Sequence, residues 1–267
     1  MSLLVVPVGL LIGLSLGALG GGGSILTVPA LVYLVGEGPA QATTSSLLIV
    51  GATSLIALVP HARRGNVRFG QGIAFGLLGI AGSFAGSLAS ARVAPHVLLT
   101  AFAALMLVVA VVMLRRSSRP SPADTQHAAS SSLVQLRPFH IDVGRSTQVV
   151  LAATVVGLLT GFFGVGGGFA LVPALVLALS YPMRVAVGTS LLVIAINSAT
   201  AVATRIADAD VDWATVGAFT AAAVVGSLAG GRIASRARPA VLARAFAILL
   251  FALAVYMGVR NVPALLS

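Results

Sequence analysis

The chain contains no cysteine and no lysine, and it has few acidic residues. Its 16 basic residues are all arginine, and Asp and Glu together number six among 267 residues. Without cysteine there are no disulfides or thiolate metal sites, and without lysine there is no phosphate-binding loop of the Gly-Lys-Ser/Thr type. Charged residues make up 8% of the chain, whereas a soluble domain has about 25%. Polar groups therefore cannot cover the surface of a soluble fold.

Long apolar runs take up most of the sequence. Hydrophobic residues account for 58% of the chain, and the mean hydropathy is +1.07. Runs long enough to cross a bilayer include 42–60, 70–91 and 97–114. These runs predict an all-α polytopic membrane protein with the lipid bilayer as a partner. The net charge of +10 would suggest nucleic acid in a soluble protein, but these arginines lie between apolar runs, so we expect no nucleic-acid partner.

The sequence repeats itself at an offset of 144 residues, without a gap from Gly13 to Arg116. The matches include Pro29 with Pro173, and residues 82–83 with 226–227. Prolines that share one register are not expected by chance in an apolar protein. We predict a transmembrane repeat over 1–116, a flexible, cytoplasmic linker rich in Ser, Pro and Arg over 117–145, and a second repeat over 146–267. The first 20 residues resemble a signal peptide, but because 10–20 has a counterpart at 154–164 we expect them to remain in the mature protein.

Each repeat is predicted to contain a glycine-broken helical hairpin and three full spans, which gives 8–10 membrane segments in all. If the repeats are inverted, 13 of the 16 arginines fall on one side of the membrane. The positive-inside rule therefore favours inverted repeats with the linker in the cytoplasm. The expected segments are 3–19, 24–35, 43–60, 70–91 and 97–114 in the first repeat, and 147–163, 168–179, 187–204, 214–231 and 241–259 in the second.

The two glycine-rich breaks occupy matching positions of the repeats. Successive backbone N–H groups there, followed by a helix start at Ser24 or Gly168, would form an anion-binding concavity. Close helix packing is the alternative, and it accounts for the Gly-x-x-x-Gly pairs elsewhere, which serve either internal packing or a homodimer. We expect Pro29 and Pro173 to shape the following helices. The residues of the predicted substrate site at the breaks are Gly20, Gly21, Gly22, Gly23, Ser24, Gly164, Gly166, Gly167 and Gly168.

Hydroxyl and amide groups follow each break. Because they open long apolar spans, N-capping of those helices is the default interpretation, and substrate binding is the alternative. Further along the same spans, Thr53-Ser54 matches Asn197-Ser198, and a buried Asn in an apolar span needs a partner, which is either substrate or another helix. The residues included in the predicted substrate site are Thr44, Ser45, Ser46, Thr189, Ser190 and Asn197.

No charged residue falls in the middle of a predicted span. A proton-coupled carrier would therefore have to use groups at span ends, of which His61 and Glu37 are the candidates. An enzyme is disfavoured, since there is no paired carboxylate and no Ser/His/Asp spacing. We expect no cofactor and no metal site, because the Asp208-x-Asp210-x-Asp212 cluster lacks the rest of a calcium loop and is typical of solvated loop charges.

These motifs resemble those of the TauE/SafE family of sulfite exporters, also described as a 4-toluenesulfonate uptake permease family. The resemblance rests on two glycine breaks followed by Val-Pro-Ala-Leu, then by a Thr/Ser-Ser-Leu-Leu span and a Gly-Ser-x-x-Gly span. It implies a bacterial inner (plasma) membrane transporter of sulfite, sulfonates or related small anions, with about eight spans in two halves. An uncoupled anion channel and a non-transporting membrane scaffold remain as alternatives.

Overall fold

The computed structural model describes residues 5–90, 93, 95–117, 143–163, 168–205 and 211–261. This part of the chain is helical and contains no strand. Most of the predicted linker and the start of the second glycine break lie outside the described residues. The ten helices are α1 Val5–Leu19, α2 Gly22–Ala30, α3 Pro39–Arg63, α4 Phe69–Ser90, α5 Pro95–Ser117, α6 Val143–Phe163, α7 Gly168–Leu177, α8 Met183–Arg205, α9 Trp213–Arg236 and α10 Pro239–Asn261.

Five described helices are long and apolar enough to cross a membrane, judged by length and composition. They correspond to five of the six full spans predicted from the sequence. The sixth prediction, 97–114, falls in α5, where the apolar stretch Thr100–Arg115 is shorter. This architecture agrees with a polytopic helical membrane protein. The five stretches are Gln41–Arg63, Phe69–Gly86, Met183–Ala203, Trp213–Arg236 and Pro239–Tyr256.

Helices from the two halves of the chain pack against each other. The main pairs are α1 with α9, α4 with α6, α5 with α10 and α3 with α8. In the first pair Gly13 lies against Ala223 and Gly17 against Ser227, so these helices run in the same direction. The third helices of the two halves, α3 and α8, do not run in the same direction.

Helices α3 and α8 cross in opposite directions. Gly51, near the middle of α3, lies against Ser198, whereas Gly188, near the start of α8, lies against Asn66, just beyond the end of α3. The halves are therefore interleaved, and a central antiparallel crossing joins them.

Glycine allows the closest of these helix contacts. A methyl group added at Gly13 would overlap the carbonyl of Ala223, and one added at Gly157 would overlap the carbonyl of Gly79. These two contacts are related by the 144-residue offset. Because lipid is as apolar as the side chains, close packing rather than hydrophobic burial holds such helices together. The Gly-x-x-x-Gly pairs serve this internal packing, since Gly82, Gly86, Gly226 and Gly230 each lie against the backbone of a neighbouring helix.

The first glycine break turns the chain back on itself. Gly23 at the start of α2 lies against Ile12 and Leu16 of α1. At the other end of the hairpin, Ala30 and Leu31 join the same buried cluster as Val5. Helix α2 begins at Gly22, two residues before the predicted start at Ser24. The α1–α2 hairpin thus returns to the end of the bundle at which α1 begins.

Each short helix contains its proline and ends in a widened turn. Pro29 lies inside α2, which continues as a π turn over Leu31–Val35. Pro173 lies inside α7, where the N–H of Leu179 donates to the carbonyl of Ala174, five residues earlier, at 3.4 Å. Proline removes one backbone hydrogen bond, and both helices lose regular geometry within two turns of it. The expected shaping effect is therefore local to the helix ends.

Charged residues separate the two ends of the bundle. At one end, Arg64 donates to the carbonyl of Gly231 and Arg184 to the carbonyl of Ala237. We call this the arginine end. At the other end, Glu37 lies within electrostatic range of Asp212, and we call this the acidic end.

Candidate functional site

The first glycine break meets Gly168, the last residue of the second break, in the interior of the bundle. A methyl group added at Gly21 would overlap the carbonyl of Gly168, and one added at Gly168 would overlap the hydroxyl of Ser24. The Ser24 hydroxyl donates to the carbonyl of Gly21 at 2.7 Å. The first residues of α2 and α7 are therefore in direct contact. The sequence predicted both breaks, and the structure brings them together.

Gly20 makes the sharp turn at the end of α1. Its φ is +71°, a conformation that favours glycine. Its N–H still donates to the carbonyl of Leu16 at 2.8 Å, so this N–H group is not free for a ligand. A side chain at Gly20 would also press against Ser190 and Val187 of α8. Ser190 thus joins the contact between the breaks.

The other predicted glycines point elsewhere or are not described. Gly22 faces the side chains of Leu249 and Phe246 on α10, and Gly23 faces α1. They contribute to packing around the turn. Three glycines of the predicted site, Gly164, Gly166 and Gly167, lie outside the described residues.

The prediction that the hydroxyls cap helices is wrong. Helix α3 begins at Pro39 with Gly38 as its N-cap residue, and α8 begins at Met183. Proline suits the first helical position because its fixed φ is already helical, so α3 begins four residues before the first hydroxyl. The hydroxyl groups therefore lie within the helices. Those that are buried are Thr44, Ser45, Ser46, Thr189 and Ser190.

Two of these hydroxyls have defined partners. Thr189 accepts a hydrogen bond from the N–H of Arg68 at 3.2 Å, which ties the start of α4 to α8. Ser190 donates to the carbonyl of Val187 at 2.8 Å. The hydroxyl of Ser45 is buried and has no partner among the described residues.

A group of unpartnered polar atoms lies near the α3–α8 crossing. The hydroxyls of Thr53 and Ser54 and the Oδ1 atom of Asn197 are buried without a hydrogen-bond partner in the described part of the chain. They lie within three residues of the Gly51–Ser198 contact. An unsatisfied buried polar group costs about 1–3 kcal/mol, so this set marks a place for water or ligand. The sequence pointed to Asn197 and gave less weight to Thr53 and Ser54.

A concave pocket opens at the arginine end. Its cavity volume is about 10 Å³, room for about one water molecule. The cleft is partly open to solvent, and none of its lining residues is acidic. Ala18 of α1, just before the first glycine break, forms part of its wall. The sequence interpretation missed this pocket, except for His61. Its polar lining residues are His61, Arg64, Asn66, Arg184 and Ser235.

His61 connects the pocket to the first break. The side chain is 3% exposed, and its Nε2 atom lies 3.4 Å from the carbonyl oxygen of Gly17. Nε2 must carry the proton for this contact to be a hydrogen bond, which leaves Nδ1 facing no partner among the described residues. In this tautomer the Nδ1 atom of His61 is an unpartnered hydrogen-bond acceptor.

Glu37 is buried at the acidic end. It is 9% exposed, and neither carboxylate oxygen has a hydrogen-bond partner in the described residues. Burial raises the pKa of the Glu37 carboxyl, the nearby Ser45 hydroxyl offsets part of the rise, and the Asp212 charge adds to it. Glu37 and His61, the two coupling candidates, thus lie at opposite ends of α3 and are not brought together.

Of the acidic cluster after α8, the structure describes Asp212 alone. Asp212 is the N-cap of α9, and its carboxylate accepts from the N–H groups of Ala214 and Thr215 at 3.0 and 3.2 Å. Hydrogen bonds from Thr215 lower the pKa of the Asp212 carboxyl. Asp208 and Asp210 lie outside the described residues.

The helical architecture and its buried polar interior define the class as an integral membrane protein. The sequence model of the Sulfite exporter TauE/SafE family matches residues 5–257. The chain is 34% identical over 261 residues to a Xylella fastidiosa (strain 9a5c) protein named "Probable membrane transporter protein", covering 96% of this chain and 95% of that relative. It is 28% identical over 245 residues to "Probable membrane transporter protein YunE" of Bacillus subtilis (strain 168), covering 86% of each. No solved structure matches the chain.

The chain belongs to the TauE/SafE sulfite exporter family, a family of membrane transporters rather than enzymes.

Proposed function

We propose that the protein is a secondary transporter of small sulfur-containing anions such as sulfite or a sulfonate, and that the anion binds where the two glycine breaks meet. The observation that carries this proposal is the direct contact between the first residues of α2 and α7. The family description adds the substrate class.

Helix starts attract anions because their first N–H groups have no acceptor within the helix and the macrodipole is positive there. Two starts that converge add their effects at one place, without a buried arginine. Ser24 and Ser190 place hydroxyls beside the contact. In this structure the two hydroxyls donate to the carbonyls of Gly21 and Val187, so each must rotate to donate to an anion. Together these groups provide donors for an oxyanion in the bundle interior.

We further propose that the two halves are inverted repeats. Ser24 and Gly168 are related by the 144-residue offset and lie against each other. Two equivalent residues in mutual contact lie on the symmetry axis that relates them. The antiparallel α3–α8 crossing supports an axis in the membrane plane, because α3 and α8 are the third helices of their halves. Inverted repeats of this kind place the binding site near the middle of the membrane.

The contact between the breaks is closed in this structure, since no space for a side chain remains at Gly21 or Gly168. A transporter that alternates between two states needs such a closed barrier at the substrate site. The unpartnered set Thr53, Ser54 and Asn197 lies further along α3 and α8, with Asn197 about two helical turns beyond Ser190. We propose that these groups become ligands when the breaks separate.

Proton coupling and uncoupled transport are both compatible with the site. Coupling would use His61 or Glu37, which are the titratable residues at the two ends of α3. An uncoupled facilitator would use neither. The location proposed from the family and from the arginine distribution is the bacterial inner membrane, with the arginine end in the cytoplasm.

The function is tested with purified protein in liposomes. Radiolabelled sulfite, sulfate, a sulfonate and chloride are compared, with and without a pH gradient. The proposal expects saturable flux of a sulfur anion that exceeds chloride flux. Stimulation by the gradient would identify a coupled carrier, and its absence a facilitator. Liposomes that carry correctly folded protein but show no anion flux would contradict the proposal.

The site assignment needs a matched pair of glycine variants. Gly21→Ala places a methyl against the α7 backbone, whereas Gly70→Ala adds one at the exposed start of α4 with nothing within 4 Å. We expect Gly21→Ala to abolish flux and Gly70→Ala to retain it. Because Gly21→Ala can also disturb folding, Ser190→Ala provides a second test beside the break. Unchanged flux and unchanged KM in Ser190→Ala and in Gly21→Ala would contradict the assignment.

A further inference from the structure

The pocket at the arginine end combines features that the contact between the breaks lacks. Two guanidinium groups, those of Arg64 and Arg184, line it together with the His61 ring. Arg184 uses one terminal nitrogen on the carbonyl of Ala237 at 2.8 Å, while its Nε is buried without a partner among the described residues. Two charged donors therefore line one small cleft, whereas the unprotonated Nδ1 of His61 cannot donate to an anion there.

Nothing in the described wall of the pocket neutralises this charge. The lining contains no carboxylate, and the acidic residues that the structure describes, Glu37 and Asp212, lie at the opposite end of the bundle. Arginine binds oxyanions through paired N–H donors. Asn66 and Ser235 supply further hydrogen-bonding groups in the same wall. The donor set fits a small oxyanion.

The internal repeat shows that this charge is specific to one end. The 144-residue offset pairs Arg64 with Asp208 and Arg184 with Ala40. It also pairs Asn66 with Asp210. If the arginines only stabilised the shared scaffold, the other copy would carry similar residues at the equivalent positions. Instead, Arg64 is matched by an acidic residue and Arg184 by an apolar one.

We propose that this cleft is a second oxyanion-binding site, at which Arg64 and Arg184 bind a soluble anion such as sulfate or sulfite from the solvent side. Anion binding at this site does not depend on whether the protein transports the anion. Its role as the first station on the path to the glycine breaks, reached past Ala18, rests on the proposed function.

The test uses the absence of cysteine in the natural chain. Ser235→Cys introduces a single thiol into the pocket wall, and its modification rate is measured with anionic and cationic methanethiosulfonates. The protein is held in phosphatidylcholine nanodiscs. Sulfate is the competing anion, because sulfite would attack the disulfide products. Gluconate at the same ionic strength controls for screening.

We expect the anionic reagent to react about tenfold faster than the cationic one, since a charged cleft concentrates ions of opposite sign. Sulfate should slow the reaction and gluconate should not. Arg64→Gln and Arg184→Gln should remove both effects, and Arg184→Lys should partly restore them. Arg236→Gln removes an exposed arginine from the same end outside the pocket lining, so both effects should persist in that variant.

Three results would overturn the proposal. The first is sulfate protection no better than that of gluconate, and the second is loss of protection in Arg236→Gln as complete as in Arg184→Gln. The third is slower labelling in phosphatidylglycerol nanodiscs with no further effect of sulfate, which would assign the pocket to a lipid phosphate. Flux without sulfate protection would contradict this site alone. Sulfate protection in a protein without flux would contradict the proposed transport alone.

Discussion

Gly36 and Ser180 both adopt a left-handed backbone conformation, with φ of +85° and +53°, and they are 144 residues apart. The next residue closes the same turn in each half. The N–H of Glu37 donates to Leu31 and that of Tyr181 to Leu175, both at 3.0 Å. The turns that end α2 and α7 are thus built alike although one uses glycine and the other serine.

The left-handed turn gives a stability prediction for Gly36. A methyl group there would meet nothing within 4 Å, so Gly36→Ala should cost only the backbone strain, about 1–2 kcal/mol. Gly217→Ala is the matched control, because Gly217 also has open space around it but lies inside α9. There alanine should add about 1 kcal/mol of stability. Thermal unfolding in detergent should show shifts of opposite sign, and equal shifts would contradict the assigned turn.

Glu37 should make the folded protein less stable as pH rises. Its pKa is raised by burial, so between the unfolded and folded pKa values the folded state binds more protons, and stability falls with increasing pH. Glu37→Gln mimics the protonated carboxyl. The variant should therefore melt at a higher temperature than the natural protein at pH 7–8, by about 2–4 °C for each kcal/mol relieved. Below the unfolded pKa of 4.5 the two proteins should melt at the same temperature.

The control for this experiment is Asp212→Asn. The Asp212 pKa is lowered by hydrogen bonds from Thr215, so its contribution to stability is present above the unfolded pKa and is lost as pH falls through the folded pKa. The Asp212→Asn variant should lose stability at neutral pH. A Glu37→Gln variant with the same pH profile as the natural protein would show that the carboxyl is not buried.

Removing the unpartnered hydroxyl of Thr53 should have opposite effects on stability and on transport. Thr53→Val keeps the shape and removes a buried polar group without a partner. It should stabilise the fold by about 1 kcal/mol and, if the hydroxyl binds substrate, raise KM severalfold. Thr200→Val is the control, since that hydroxyl donates to the carbonyl of Ile196 in its own helix at 3.0 Å. Flux in liposomes measures the effect on transport, and melting curves measure the effect on stability. A Thr53→Val variant with the KM of the natural protein would show that Thr53 does not bind substrate.

The α1–α9 interface should tolerate no side chain at Gly13. Gly13→Val would press against the Ala223 backbone, which cannot move aside as a side chain can. The loss of folding stability should reach or exceed the ~1–3 kcal/mol that overpacking a core costs. Gly157→Val is not a suitable control, because a side chain there would press against the carbonyl of Gly79 in the equivalent interface. Gly70→Val is suitable, and size-exclusion chromatography should show monodisperse protein for this variant only.

The sequence predicted the helices well because their signals are local or periodic. Each of the ten described helices overlaps one of the ten segments predicted from the apolar runs and the repeat, and in α5 the apolar stretch is shorter than predicted. The start of α3 was misplaced because Pro39 begins the helix before the hydroxyls do. Proline at the first helical position is a local signal that could have corrected the N-cap prediction.

The contacts between distant residues could not be predicted in the same way. Nothing near Gly21 in the sequence indicates that it meets Gly168, and the guanidinium groups of Arg64 and Arg184 are brought together only by the α3–α8 packing. The mismatch of Arg64 with Asp208 under the repeat was visible in the sequence. This mismatch indicated that Arg64 has a role at one end of the bundle only, but it did not show which other residues lie beside Arg64.

The separation of charge between the two ends has a consequence for the driving force. If the arginine end faces the cytoplasm, the anion is collected on the side that a living bacterium keeps electrically negative. Each negative charge that crosses to the acidic end then releases about 2.3 kcal/mol for every 100 mV of membrane potential. A divalent anion would release about twice as much. Outward movement would thus be favoured by the cell's own voltage, and a protein without charged residues in its predicted mid-spans would need no second ion for that bias.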